Sequence, residues 1–365
     1  MKVNKLMKAL AASAMSLALV AGMTAMPAMA IDVSIPNDGG TTTAITFTTT
    51  LDMTNATGAN VPAVTFDYSI AAGTAVADDA TNMEILAGVV DNISIGDAVF
   101  TAGGNATQTV TVDFSNVPFT HAGIYRYEIT AINPNDADIA MDEDNTRTLD
   151  VYVTNKTDGG LEISHVVLMK DAVNLLQTGV YAGTVAKSEG FTNSYTTYDL
   201  TLDKVVDGTM GDKTKEFDFT INFTGGTQGE TMTYGGETIT FGEHGTASVT
   251  GIKLADSTAV ATITGIPSGV SYTVVENIAK TEGYTTTATV QRGTGTATTA
   301  NVTVADTTQT VAQQTMGKND NAVVVTNTKN AVNPTGIILN VAPYALMVVI
   351  ALAGVVVFLR KRVED

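Results

Sequence analysis

The chain has 365 residues, a formal net charge of −18, three His, no Trp and no Cys. So acidic a surface repels nucleic acid and favours solubility, without bearing on fold. The absence of cysteine excludes disulfides, thioester chemistry, thiol nucleophiles and thiolate metal sites; with so few His, neither metal nor cofactor is expected, and enzymatic turnover is not the reading.

Met1–Ala30 reads as a secretory signal peptide. Lys2, Lys5 and Lys8 precede an apolar segment from Ala9 to Val20, and Ala28-Met29-Ala30 forms a small-residue cleavage site. The remainder up to Thr335 is long enough for two domains and short for three. An exported chain without cysteine must take any covalent reinforcement from other chemistry.

From Ile31 to Val332 the sequence is Thr, Val, Ala, Gly and Asp in short alternating runs. Val110–Phe114, Leu149–Val153 and Phe217–Phe223 each alternate apolar and polar residues, the pattern of a half-buried strand. Gly, Asn and Asp clusters separate the runs at sandwich-like spacing. The fold expected is all-β, with little helix.

A weak internal repeat divides this region. Thr65–Ile70 (TFDYSI) matches Glu216–Ile221 (EFDFTI), Gly123–Ala131 matches Gly269–Glu276, and Phe191-Thr-Asn193 matches Val325-Thr-Asn327. Three matches in one order predict two copies of one sandwich, 31–197 and 198–331. No Pro- or Ser-rich linker separates them, so they are expected to abut as a rigid rod.

In the second copy the strand pleat directs three polar residues inward. Leu200 and Leu202 set a parity whose next member is Lys204; Tyr272 and Val274 lead to Glu276; Val323 and Val325 lead to Asn327. A lone buried charge costs several kcal/mol unless paired or neutralised, so three such positions in one core predict that the groups meet. Burial lowers a Lys pKa and raises a Glu pKa, so a neutral amine and a protonated acid can stand side by side. The Lys204 amine can then attack the Asn327 side-chain amide while Glu276 moves the proton that lets ammonia leave. The product is an intramolecular isopeptide bond, made once, with proximity as its main catalyst. A snorkelling Lys204 beside two rim residues is the bland alternative.

Leu200–Gly208, Lys215–Phe219, Gly269–Glu276 and Val325–Asn327 together resemble the isopeptide-linkage domain of Gram-positive, streptococcal-type major pilins. That family has tandem immunoglobulin-like sandwiches of the CnaB type. The resemblance implies Lys204 as donor, Asn327 as acceptor and Glu276 as catalytic acid. It is looser in the first copy, where Thr49 and Ala131 stand at the Lys and Glu positions and only Asn193 matches. No cross-link is therefore expected in 31–197, which should be the weaker domain. The family also joins subunits through a lysine shortly before the Asn-bearing strand of its first domain. Lys187, in Ala186–Asn193, lies one residue from that spacing, with Lys170 and Lys156 behind it, and the extended YPK motif is missing.

Three lesser features are given plain readings. The acidic stretch Asn133–Asn145 lacks calcium-loop spacing and the central Gly, and reads as a solvated loop. Gly293-Thr-Gly295 reads as a turn, and Tyr125 with Tyr195–Tyr198 as sandwich packing.

The C-terminal segment 332–365 has three parts: Asn333-Pro334-Thr335-Gly336, an apolar run from Val341 to Leu359, and Arg360-Lys361-Arg362. The run can span a bilayer as a transmembrane helix with the basic cluster held on the cytoplasmic side. The order resembles the cell-wall sorting signal of Gram-positive surface proteins, although the tetrapeptide departs from the common LPxTG form. The likeness implies sortase cleavage between Thr335 and Gly336 and transfer of the Thr335 acyl group to an amine; a plain tail anchor is the alternative. The expectation is thus a cell-wall-anchored shaft pilin, in the membrane only before sorting. Its partners would be sortase, identical subunits joined head to tail, minor pilins and peptidoglycan. The competing reading is a monomeric wall-anchored adhesin that binds a ligand through its first domain.

Overall fold

The computed structural model describes residues 43–157, 159–257, 259–331 and 347–352. The signal peptide, Asn333–Gly336 and the C-terminal apolar run other than the helical 347–352 lie outside the described residues. Among the described residues no helix is long and apolar enough to cross a membrane.

Nearly everything between Ala44 and Thr328 is strand, turn or loop, arranged as two successive β-sandwiches. The first has a sheet ordered Ser94–Ile95, Thr107–Asp113, Ala44–Asn55, Gly190–Thr196, Ile139–Ala140. The facing sheet runs Leu161–Met169, Thr146–Asn155, Gly123–Ala131, Tyr68–Ala72. In the second sandwich a seven-stranded sheet is centred on Tyr198–Asp207 and Asn321–Thr328, and a six-stranded sheet on Phe217–Thr224 and Ser271–Asn277. Each sandwich holds its own apolar core between its sheets, with Phe47, Tyr127 and Leu149 in one and Leu202, Phe219 and Val274 in the other.

One topological feature recurs. In each sandwich the first strand runs parallel to the last, Ala44–Asn55 beside Gly190–Thr196 and Tyr198–Asp207 beside Asn321–Thr328. Strands so distant in sequence are brought side by side in the middle of a sheet, where period-two alternation sends Leu200, Leu202 and Lys204 to one face. Gly190 permits the close start of the first such pair. Its φ is 144°, and a Cβ there would lie 1.8 Å from the Thr48 carbonyl oxygen.

Thr197 alone separates the last strand of the first sandwich from the first strand of the second. The two units touch through polar contacts. The Asn60 side chain donates to the Gly229 carbonyl (2.8 Å) and accepts from the Thr231 amide (3.1 Å), and the Ser268 amide donates to Asp138 (2.7 Å). The connection is thus a single residue flanked by these polar contacts.

The alternation at Leu149–Val153 does not give a half-buried strand. Arg147 to Val153 are all buried, because residues 170–188 fold over the outer face of this sheet. Under that cover Arg126 forms a bidentate ion pair with Asp150 (2.7 and 2.8 Å) and donates to the Val173 carbonyl (2.6 Å). The Tyr181 hydroxyl donates to the same aspartate at 3.1 Å. An aspartate that the pattern assigns to water is instead a buried anchor for the covering segment.

Candidate functional site

Lys204, Glu276 and Asn327 converge in the core of the second sandwich, with 0%, 1% and 0% of their surfaces exposed. Each arrives by the pleat of its own strand. In the parallel pair Lys204 stands opposite Val325 and Val206 opposite Asn327, so lysine and asparagine are diagonal neighbours on one face. Glu276 comes from the other sheet, paired with Phe219.

The carboxylate stands between the other two groups. Glu276 Oε1 lies 2.9 Å from Lys204 Nζ and accepts a hydrogen bond from Asn327 Nδ2 at 2.7 Å. The lysine contact is an ion-pair approach rather than an aligned hydrogen bond, and neither Nζ nor Glu276 Oε2 has a hydrogen-bond partner. Aromatic rings form the wall: Nζ lies 4.4 Å from the centre of the Phe217 ring and 5.7 Å from that of Phe219. Burial pushes the Lys204 amine down to about 8, with Glu276 opposing, and pushes the Glu276 carboxyl up, with Lys204 opposing. Both shifts favour the uncharged pair, a nucleophilic amine beside a carboxylic acid. Asn327 is held from its other side, where the Thr286 hydroxyl donates to Oδ1 at 2.7 Å. In the sequence the one signal for Thr286 is the inward parity it shares with Ala288 and Val290.

The first sandwich repeats this geometry without the reactive groups. There Leu51 pairs with Asn193 as Val206 pairs with Asn327, which puts Thr49 at the Lys204 position. Ala131 pairs with Tyr68 as Glu276 pairs with Phe219, which puts Ala131 at the glutamate position. Thr49 hydrogen-bonds the Tyr68 hydroxyl across the core. Asn193 is 1% exposed; its Oδ1 accepts from the Asp142 amide (3.0 Å) and its Nδ2 has no partner. An unpartnered buried amide N–H is costly, and Ala131, at the glutamate position by register, has no side-chain acceptor to offer it.

Lys187 is exposed, on the segment that covers the outer face, and pairs across a β-bridge with Met169. Lys170 lies beside it, and both line a cleft of about 490 Å³ with Asp142, Glu143 and Phe191. Lys156 is half-buried near the turn at 159–160. The sortase motif Asn333–Gly336, with Thr335, lies outside the described residues. The acidic stretch 133–145 is more structural than a solvated loop: Asp142 pairs with Arg147 at 2.7 Å and Asp138 binds the Ser268 amide. Among the described residues no three His, Cys, Asp or Glu side chains are arranged to hold a metal. Gly293 has a φ of 53° and makes a turn, and Tyr125 and Tyr195 are buried packing residues.

Residues 44–196 match a family described as "Spy0128-like isopeptide containing domain", and residues 198–329 match one described as "Domain of unknown function (DUF7601)". Across both units the chain is 27% identical over 329 residues to a protein named "Pilin" from Streptococcus pyogenes serotype M1, covering 87% of this chain and 90% of that one. Among solved structures, a major pilin from S. pyogenes aligns with a TM-score of 0.60 at 24% identity, over 79% of this chain and 99% of the other. The T3.2 major pilin of the same species aligns with a TM-score of 0.59 at 24% identity, over 79% of this chain and 98% of the other. The description of the first family as isopeptide-containing meets Thr49 and Ala131 in this chain.

Proposed function

We infer that this chain is a Gram-positive major pilin, the shaft subunit of a surface pilus, and that its second sandwich cross-links itself. Relationship to a pilin along nearly the whole length and two sandwiches in the same order support the first part. It is a structural subunit that acts on the cell surface in a polymer of pilin subunits.

The self-cross-link is carried by one observation, the contact of Glu276 with both Lys204 and Asn327 inside an apolar core. With the amine uncharged, its lone pair attacks Asn327 Cγ, and the surplus proton passes through Glu276 to Nδ2. The Cγ–Nδ2 bond breaks and ammonia leaves, so the pair becomes an amide and Glu276 is regenerated. The product is uncharged, which removes the cost of burying two ions. Intact mass tests this. Residues 43–331 should weigh one ammonia less than their sequence, and Glu276→Ala should have the full mass. A wild type of full mass overturns the bond, and a loss of two ammonias would place a second bond in the first sandwich.

Polymerisation follows from the sorting motif. Sortase cuts at Thr335–Gly336 and passes the Thr335 acyl group to Lys187 of the next subunit; minor pilins and the peptidoglycan anchor join by the same chemistry. Exposure beside an open cleft supports Lys187 and its neighbour Lys170 over the half-buried Lys156, and the position of Lys187 shortly before the Asn193 strand selects it of the two. The full chain co-expressed with a pilin-type sortase should give boiling-resistant ladders that Lys187→Ala abolishes and Lys170→Ala spares. A single band in the wild type would instead favour the monomeric adhesin.

A further inference from the structure

We propose that the Thr286 hydroxyl is a catalytic oxyanion donor in formation of the Lys204–Asn327 bond. The proposal rests on that cross-link and assigns a group that stabilises its tetrahedral intermediate.

When the amine adds to Asn327 Cγ, the C=O π electrons move to Oδ1, which becomes an alkoxide in a core that excludes water. A donor already aimed at that oxygen lowers the barrier without reorganising. Thr286 lies directly opposite Asn327 in the antiparallel pair, and its hydroxyl donates to Oδ1 at 2.7 Å. Only 9% of Thr286 and none of Asn327 is exposed. Among the described residues it is this hydroxyl that donates to Oδ1, while Glu276 Oε1 accepts from Nδ2.

The contacts divide the amide by role. Glu276 touches the incoming nitrogen and the departing nitrogen, so the proton from Nζ crosses a single carboxyl group to reach Nδ2. Thr286 touches the oxygen that holds charge between attack and departure. Collapse of the intermediate returns those electrons to the C=O bond and expels ammonia; Thr286 keeps its proton throughout. The unreactive sandwich supports this orientation of the amide. Asn193 Oδ1 likewise accepts from a neighbouring group, the Asp142 amide, while Nδ2 has no partner in a sandwich whose register puts Ala131 at the position of the acid. With the amide turned over, the acid would polarise the oxygen and Thr286 would have no catalytic part.

The test is a time course of ammonia loss. The full chain is made by cell-free synthesis, quenched at intervals and read by intact mass. Thr286→Val removes the hydroxyl while keeping the branched shape, and Thr286→Ser keeps the hydroxyl. Thr286→Val should lose ammonia about 100-fold more slowly than wild type, in line with removal of one oxyanion donor, and Thr286→Ser should stay within a few-fold. Folding is checked by circular dichroism, and Thr286→Ala replaces Thr286→Val if the latter does not fold. A hydroxyl-free variant that folds and matches the wild-type rate overturns the role of Thr286 and leaves the cross-link standing. A wild type that keeps its full mass overturns the cross-link itself, and the donor with it. Slowing by both Val and Ser alike would make Thr286 a packing residue, contrary to the proposal.

Discussion

Replacing Asn327 by Ala removes the acceptor carbonyl and leaves Lys204 and Glu276 buried. Two costs then follow from the structure. The proposed bond would close a loop of about 120 residues, and losing that constraint would return about 5 kcal/mol of chain entropy to the denatured state. The unlinked amine also remains in the core with its pKa pushed from the ordinary 10.5 to about 8, which costs roughly 3 kcal/mol at neutral pH. Asn327→Ala should therefore destabilise the second sandwich by about 8 kcal/mol, and Lys204→Met/Asn327→Ala should recover about 3 of these by replacing the amine with an apolar chain. Guanidinium unfolding of residues 43–331, followed by far-UV circular dichroism with intact mass on the same samples, reads both effects. The upper transition should fall by roughly 1–2 M in the single variant, and the lower transition, from the first sandwich, should stay in place. If the upper midpoint does not move, or if it moves while the wild type retains its ammonia, the loop-closure argument is refuted.

Further outcomes follow from the same geometry. In unlinked Asn327→Ala, the unfolded chain holds a proton on Lys204 between pH 8 and 10.5 that the folded chain has lost, so stability should rise with pH there by about 3 kcal/mol. The Lys204→Met/Asn327→Ala control, titrated in urea over that range, should lack this rise; equal slopes would mean that the amine is not desolvated. Installing Thr49→Lys, Tyr68→Phe and Ala131→Glu together should give the first sandwich its own bond to Asn193, seen as loss of a second ammonia. A mass unchanged by the triple substitution would show that the register equivalence is not enough. Asp150→Ala strands the Arg126 guanidinium beneath its cover and should cost about 3–5 kcal/mol in the lower unfolding transition. A change below 1 kcal/mol there would mean that the covering segment opens readily.

The fold was legible because strands announce themselves through period-two alternation, and three inward polar residues broke that alternation in one core, which mutual contact explains at the least cost. Lys204, Glu276 and Asn327 are conspicuous because charge and amide are expensive in a core. Thr286 is not conspicuous, since threonine suits a strand whether or not its hydroxyl has work to do. Asp150 and Tyr152 escape the alternation pattern for a different reason. Parity tells which face of a sheet a residue occupies, but nothing local tells whether another segment will cover that face. Their burial depends on residues 170–188 returning across the sheet, and on Arg126 in the neighbouring strand, 24 residues earlier, which no short window contains.

In the proposed polymer, joined at Lys187 and Thr335, the path of tension would account for the contrast between the two sandwiches. Force entering at Lys187 would pass along Gly190–Thr196, through Thr197, into Tyr198–Lys204. From there the Lys204–Asn327 bond would carry it directly to the last strand and on to Thr335. Everything between Val205 and Thr326 would be bypassed, and residues 44–186 would hang beside the path without bearing load. A covalent tie from position 49 to Asn193 would then add nothing along the line of force, whereas the proposed tie in the second sandwich would close the long detour between residues 205 and 326. In such a polymer the first sandwich would need only to hold Lys187 in position. That task suits buried noncovalent anchors: Arg126 on Asp150 beneath the covering segment, and Arg147 bonded to Ser188 Oγ and the Gly190 carbonyl at 2.8 and 2.9 Å. On this argument the substitution of Thr49 and Ala131 for the reactive pair costs the fibre stability in one domain and no strength along its axis.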